Sequence, residues 1–228
     1  MTDTLVEFPY RAVIFDMDGV IVDTEAFYTD QERRFADDNG LPVSDDEVIA
    51  LVGQSHQTFQ STLQDWWRRV GRELTGDEAE ATFEEWASHE ACDYRSIMNP
   101  GVAETISELH GRGVRVALAS SSPMKNIVKV LDACGLDGIF EVVVSGEQFH
   151  ESKPNPEIYL HTLESLGLSA EECCCVEDSV PGITAGKRAG LTVFAKREER
   201  FGFTQEMADV IIDQIPDLIE AAEARASV

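Results

Sequence analysis

The chain has 228 residues, enough to bury one large core or two modest ones, and its 43% hydrophobic and 27% charged content is that of a soluble globular protein. Forty-three acids against 18 bases give a formal net charge of −25, which repels nucleic acid and anionic membranes and argues against partners of either kind. No apolar run approaches the roughly 20 residues of a membrane span, and the acidic N-terminal MTDTLVEFPYR lacks a signal-peptide core, so a cytoplasmic protein is expected.

The first predicted element is an apolar strand over residues 11–15 (RAVIF) that ends at Asp16. From about residue 25 to 93 no strand is evident. Phe59, Leu63, Trp66, Trp67 and Val70 form one helical stripe and Phe83 and Trp86 another, with the tryptophans read as core residues. This segment carries 17 acids against five arginines, a net charge of −12. It is read as an inserted all-helical domain, residues 24–94, with residues 1–23 and 95–228 forming the main domain.

Beyond the insertion, strands alternate with helices. Strands are predicted over residues 114–119 (VRVALA), 142–144, 173–176 and 191–194. Val102, Ile106 and Leu109 share one helical face, and Ile215, Leu218, Ile219 and Ala222 share another. Pro100, Pro123, Pro156 and Pro181 are expected just inside four helix starts, where the missing N–H sacrifices no bond. The alternation predicts an α/β fold, a Rossmann-like doubly wound parallel sheet. The run Cys173–Cys174–Cys175 reads as buried strand filler, because neighbouring strand residues point to opposite faces and suit neither a disulfide framework nor a zinc cage.

In a doubly wound sheet, ligands bind beyond the carboxyl ends of the strands. Asp16 and Asp18 follow the first strand, Ser120, Ser121 and Ser122 the second, Lys153 lies in the loop after the third, and Glu177 and Asp178 end the fourth. As alternate residues of an extended segment, Asp16 and Asp18 can turn their carboxylates to one side. Clustered carboxylates repel one another; a divalent cation relieves the repulsion, and an all-oxygen site suits Mg2+. A carboxylate can attack phosphorus to form an acyl phosphate, while a second protonates the leaving oxygen and then activates water. Lys153 can neutralise charge on the transferring group, and a serine hydroxyl can donate to its oxygens. Any one of these residues reads equally well as a helix cap; gathered at strand ends they read as a site.

FDMDGVIVDTE at 15–25, ALASSS at 117–122, SKPNPEIY at 152–159 and VEDSVPGITAGKRAG at 176–190 resemble, in order, the four signatures of the haloacid dehalogenase superfamily. The insertion after the first resembles the helical cap of the subgroup containing phosphoglycolate phosphatase, sugar-phosphate phosphatases and β-phosphoglucomutase. The resemblance implies Mg2+-dependent hydrolysis of a small phosphomonoester, a sugar or polyol phosphate, through a phosphoaspartate. It implies Asp16 as nucleophile and metal ligand, and Asp18 as general acid/base that ligates metal through its backbone carbonyl. Ser120 then binds phosphate, Lys153 steadies Asp16 and the phosphoryl group, and Asp178 ligates metal, with Glu177 ligating or acting through water. Gly19 and the Ser121 backbone resemble phosphate-contacting positions. Thr24, Glu25, Gly53, Gln54, Ser55 and His56 are implied cap contacts. The implied partner is a small phosphorylated metabolite, and a monomer or weak homodimer is expected.

Departures from the pattern narrow the choice. Asp18 counts against a dehalogenase, which lacks the second aspartate and needs no metal. A cap without lysine counts against the Schiff-base chemistry of phosphonoacetaldehyde hydrolase and removes a lysine that resembles part of the mutase site. Tyr28 stands where β-phosphoglucomutase has a histidine coupling cap closure to proton transfer, and His56 where it has an arginine gripping the distal phosphate. Losing that arginine removes a bidentate clamp. A phosphatase is therefore expected. Mutase-type phosphoryl transfer is the alternative, and a non-catalytic phosphate-sensing module is the reading that Asp16, Asp18, Lys153 and Asp178 oppose.

Overall fold

The computed structural model describes residues 8–52, 54, 56–89 and 92–226. In chain order the elements are β1 (Ala12–Phe15), α1 (Thr24–Asp38), α2 (Asp45–Ile49), α3 (His56–Arg69), α4 (Gly76–Ala87), α5 (Val102–Gly111), β2 (Arg115–Ser120), α6 (Met124–Cys134), β3 (Val142–Ser145), α7 (Glu157–Leu166), β4 (Cys173–Glu177), α8 (Val180–Arg188), β5 (Thr192–Lys196), β6 (Val210–Ile212) and α9 (Asp217–Ala226). They form two compact units, Met1–Asp23 with Tyr94–Val228, and Thr24–Asp93.

The first unit is built on a sheet of order β3-β2-β1-β4-β5-β6, parallel throughout among the described residues. Helices cover both faces, which is why the central strands read as unbroken apolar runs. The strand order reverses between β1 and β4, the switch point at which such sheets open a crevice for ligands. Strand β6 has only three residues at the sheet edge, with Ile211 39% exposed, and carries too little periodicity to be read from sequence. Cys173, Cys174 and Cys175 are fully buried in β4. Burial pushes the Cys174 and Cys175 thiols well above their ordinary range, which removes them from thiolate chemistry.

The prolines depart from expectation. Only Pro181 lies inside a helix, whereas Pro123 and Pro156 are the N-caps of α6 and α7. Pro100 precedes the α5 N-cap, Gly101, whose φ of 78° is left-handed. A Cβ on Gly101 would lie 2.2 Å from Pro216 Cγ, so the glycine sets this turn.

The second unit packs α1–α4 around Phe35, Leu63, Trp66 and Trp67. Its helix starts are chemically explicit: Ser44 with Glu47, and Thr75 with Glu78, form capping boxes on α2 and α4. The Trp67 and Trp86 indole N–H groups donate to Thr82 and Asp38. No helix among the described residues is long and apolar enough to cross a membrane.

Candidate active site

The sheet register brings the polar strand ends together. Phe15 is level with Leu118 on one side and Val176 on the other, so the next residue, Asp16, lies between Ala119 and Glu177. Lys153 arrives from the β3–α7 loop. Its ammonium donates to Asp16 Oδ1 at 2.7 Å, Glu177 Oε1 at 2.7 Å and the Ala119 carbonyl at 2.8 Å. All three ammonium donors are thereby used. Asp16, Glu177 and Asp178 each offer a carboxylate oxygen within 4.8 Å of the others, and all three residues are buried.

Three buried carboxylates against one ammonium leave two negative charges uncompensated. Burial and that shortage together set the titration behaviour. Burial is the largest influence on Asp16 and pushes it up to about 7, against the pull of Lys153. Burial opposes the charge on Lys153 too, but Asp16 and Glu177 outweigh it and hold the ammonium well above its ordinary value. A hard divalent cation fits this donor set in both charge and ligand chemistry. Asp16 and Asp178 would be the residues that could hold it, since Glu177 Oε1 already accepts from Lys153 and from the Tyr159 hydroxyl.

Asp18 is oriented from the β2 side. The Ser122 hydroxyl donates to Asp18 Oδ2 at 2.8 Å, and Ser120 Oγ lies 3.5 Å from the same oxygen while accepting from the Ser122 N–H. Ser121 Oγ accepts from Ser152. The Gly19 N–H is engaged by the Val22 carbonyl at 2.7 Å, so it is committed to the local turn. What Gly19 supplies is room: a Cβ there would lie 1.8 Å from Asp178 Oδ2, at a φ of 81°. Gly19→Ala is therefore expected to destabilise the protein by at least about 1–2 kcal/mol through left-handed strain alone. It should also displace Asp178; a thermal melt with and without Mg2+ checks both, with loss of Mg2+-induced stabilisation as the specific sign.

Several supporting residues escaped the sequence reading. Ser122 was seen only as one of three serines. Tyr159 ends the third signature, and that position was its one signal. Asn99 donates to the Gly19 and Val20 carbonyls at 2.9 Å, and Gln205 donates to the Asp178 carbonyl, both from loops with no motif.

In the helical unit, Thr24 begins α1 and is fully buried, and Glu25 follows it, partly buried. Gln54 is exposed, and His56 Nε2 lies 2.7 Å from Glu80 Oε1. Gly53 and Ser55 lie outside the described residues. One residue passed over in the sequence stands out: Glu32, on α1, is only 8% exposed. Burial first, then the charge on Glu25, pushes its carboxyl from 4.5 up to about 8. The folded chain thus binds this proton more tightly than the unfolded one. The stability so gained is full below about pH 4.5 and is lost as the pH rises through about 8. Urea unfolding at pH 5 and pH 9 should show a fall in stability that Glu32→Gln reduces by roughly 3 kcal/mol. An identical fall in the variant rejects this.

The family description "haloacid dehalogenase-like hydrolase" matches residues 10–190 of this chain. A phosphorylated carbohydrates phosphatase of Thermotoga maritima is 33% identical over 191 residues, covering 79% of this chain and 82% of its own. A β-phosphoglucomutase of Bacillus subtilis is 28% identical over 218 residues, covering 91% of each. Among solved structures, a predicted phosphoglycolate phosphatase from Haemophilus somnus superposes with a TM-score of 0.79 at 25% identity, covering 93% of this chain and 98% of that one.

Proposed function

This chain belongs to the haloacid dehalogenase-like hydrolases, and we propose that it hydrolyses a small sugar or polyol phosphate through a phosphoaspartate on Asp16. The observation that carries this reading is the Lys153 ammonium, 2.7 Å from both Asp16 and Glu177 beside the buried triplet of carboxylates. A structural ion pair needs one carboxylate; two on one lysine with a third buried beside them form a site short of positive charge.

An Asp16 carboxylate oxygen attacks phosphorus, the ester P–O bond breaks, and Asp18 gives its proton to the leaving oxygen. Water then attacks the phosphoaspartate, Asp18 takes back a proton, and inorganic phosphate leaves with Asp16 restored. Ser122 holds the Asp18 carboxylate in place for both transfers. Lys153 fixes Asp16 and offsets charge on the phosphoryl oxygens, with Ser120 as a further donor. A bound Mg2+, held by Asp16, Asp178 and the Asp18 carbonyl, would offset the remaining charge and polarise the phosphoryl group. The helical unit is assigned the role of a cap that limits bulk water during the first transfer.

The likeness to β-phosphoglucomutase supports phosphoryl transfer between sugars as a second reading. The engagement of His56 with Glu80, where that reading needs a phosphate clamp, speaks for hydrolysis. Phosphate release from a panel of sugar and polyol phosphates, with Mg2+ and with EDTA, tests the proposal. Mg2+-dependent release is the expected result. Formation of glucose 6-phosphate from β-glucose 1-phosphate, stimulated by the 1,6-bisphosphate and with little phosphate release, would establish the mutase instead.

A further inference from the structure

Strand β5 ends at Lys196 and β6 begins at Val210, and the loop between them returns to the polar rim of the sheet. The register between β4 and β5 stops at Glu177 and Ala195, so Asp178 and Lys196 each lie one residue beyond it. Gln205 continues the connection with its side chain. Its amide nitrogen donates to the Asp178 carbonyl at 2.5 Å and to the Lys196 carbonyl at 2.8 Å. Its amide oxygen accepts from the Glu198 N–H at 3.1 Å. Both amide hydrogens and the oxygen are used, and the residue is buried.

The same loop is fixed to the other acidic segment of the site. The buried Glu198 carboxylate accepts from the Arg200 N–H and from its guanidinium. That guanidinium also donates to both oxygens of Asp23, at 2.7 and 2.9 Å, a bidentate pairing with a fixed geometry. Asp23 closes the segment that carries Asp16, Asp18 and Gly19. One loop thus grips the backbone of Asp178 through Gln205 and the Asp16–Asp18 segment through Arg200. All of these residues belong to the sheet unit.

A buried carbonyl needs a donor wherever it lies. At Asp178 the direction of the carbonyl also fixes the direction of the Cβ, and the carboxylate follows. That carboxylate sits in a close fit, with Oδ2 only 1.8 Å from where a Cβ on Gly19 would stand. A metal ligand must keep its distance to within about 0.2 Å. Groups that orient such ligands are worth about 10–100-fold in metal affinity. Resting on the metal-dependent phosphatase reading above, we propose that Gln205 is a positioning residue of the site. Through the Asp178 carbonyl it holds the Asp178 carboxylate where Mg2+ binding requires it, and the β5–β6 loop thereby sets the Mg2+ affinity of the chain.

Calorimetric titration of the full chain with Mg2+ alone tests this in the wild type, Gln205→Met, Gln205→Asn and Lys187→Met. It is paired with the Mg2+ dependence of phosphate release from phenyl phosphate. Gln205→Met keeps the length of the side chain and removes its donors. Its Kd for Mg2+ should rise by about 10-fold or more, while kcat at saturating Mg2+ recovers to within about 3-fold of wild type. Gln205→Asn keeps an amide on a stem one methylene shorter, so it carries the test where the methionine variant does not fold. Its Kd should rise by about 3-fold or more. Lys187→Met breaks the ion pair with Asp209 at the far end of the same loop, and so reports lost loop stability alone. Its Kd should stay within about 2-fold of wild type. A wild-type Kd in folded Gln205 variants overturns the inference and leaves the phosphatase reading standing. An equal rise in Lys187→Met overturns it too, because loop stability then accounts for the effect. A wild-type chain that binds no Mg2+ removes the metal-dependent reading, and this inference with it.

Discussion

Asp16→Asn lowers phosphate release by about 10⁴-fold or more, the scale on which loss of a covalent nucleophile acts. The physical reason is narrow. An asparagine amide has nearly the shape of the carboxylate and its oxygen can still accept from Lys153, which reaches Asp16 Oδ1 at 2.7 Å. It cannot form the acyl phosphate, because it offers no anionic oxygen to phosphorus. Folding should survive, since the change removes one of three clustered buried carboxylates, only two of which pair with Lys153. Two readouts separate chemistry from collapse. Acid quenching with a ³²P-labelled ester should leave label on the wild-type chain and none on the variant, and the variant should melt no lower than the wild type. Unchanged turnover in a folded variant would remove Asp16 from the mechanism.

The central strands were legible because a parallel sheet buries them on both faces. RAVIF and CCCV read as apolar runs, and each run stops where a charged side chain reaches the rim. Once the strands alternate with helices, their carboxyl ends share an edge, so Asp16, Ser120 and Glu177 can be brought together on paper before the register is known. The edge strand β6 escaped because three residues carry no period. The supports of the site escaped for a different reason. Gln205 holds the Asp178 carbonyl across 27 residues, and Asn99 holds the Gly19 carbonyl across 80. Such pairs depend on which loop folds back over the rim, and neither pattern nor composition encodes that. Gly19 was visible as a position beside the aspartates. That its missing Cβ makes room for Asp178 is a property of two loops meeting, since a Cβ there would lie 1.8 Å from Asp178 Oδ2. Glu32 was hidden among the 17 acids of the helical segment, and only its burial separates it from the solvated ones.

Lys153→Met removes the one cation among the buried carboxylates and should destabilise the protein by about 3–5 kcal/mol, the range for stripping a buried charge of its partner. The lysine is 8% exposed and uses its three donors on Asp16, Glu177 and the Ala119 carbonyl, so methionine removes a donor from each, leaving Glu177 Oε1 with its bond from Tyr159. Lys153→Arg should not restore the site. A planar guanidinium directs its donors in a fork, whereas these acceptors converge on a point charge. The pH dependence carries a definite sign. Asp16 already titrates near 7 with Lys153 pulling it down; without that pull it rises further. An acid raised in the folded state stabilises at low pH, and that stabilisation is lost as the pH climbs through its folded value. Lys153→Met should therefore be closest to wild type near pH 5 and furthest from it near pH 8, as measured by urea unfolding. Added Mg2+ should recover part of the lost stability at pH 8 in the variant, because a second source of positive charge answers the same shortage. Recovery of folding without recovery of turnover would separate the two roles of Lys153, as counter-charge to Asp16 and as a direct partner of the phosphoryl group. Wild-type stability and turnover in Lys153→Met would dismiss both.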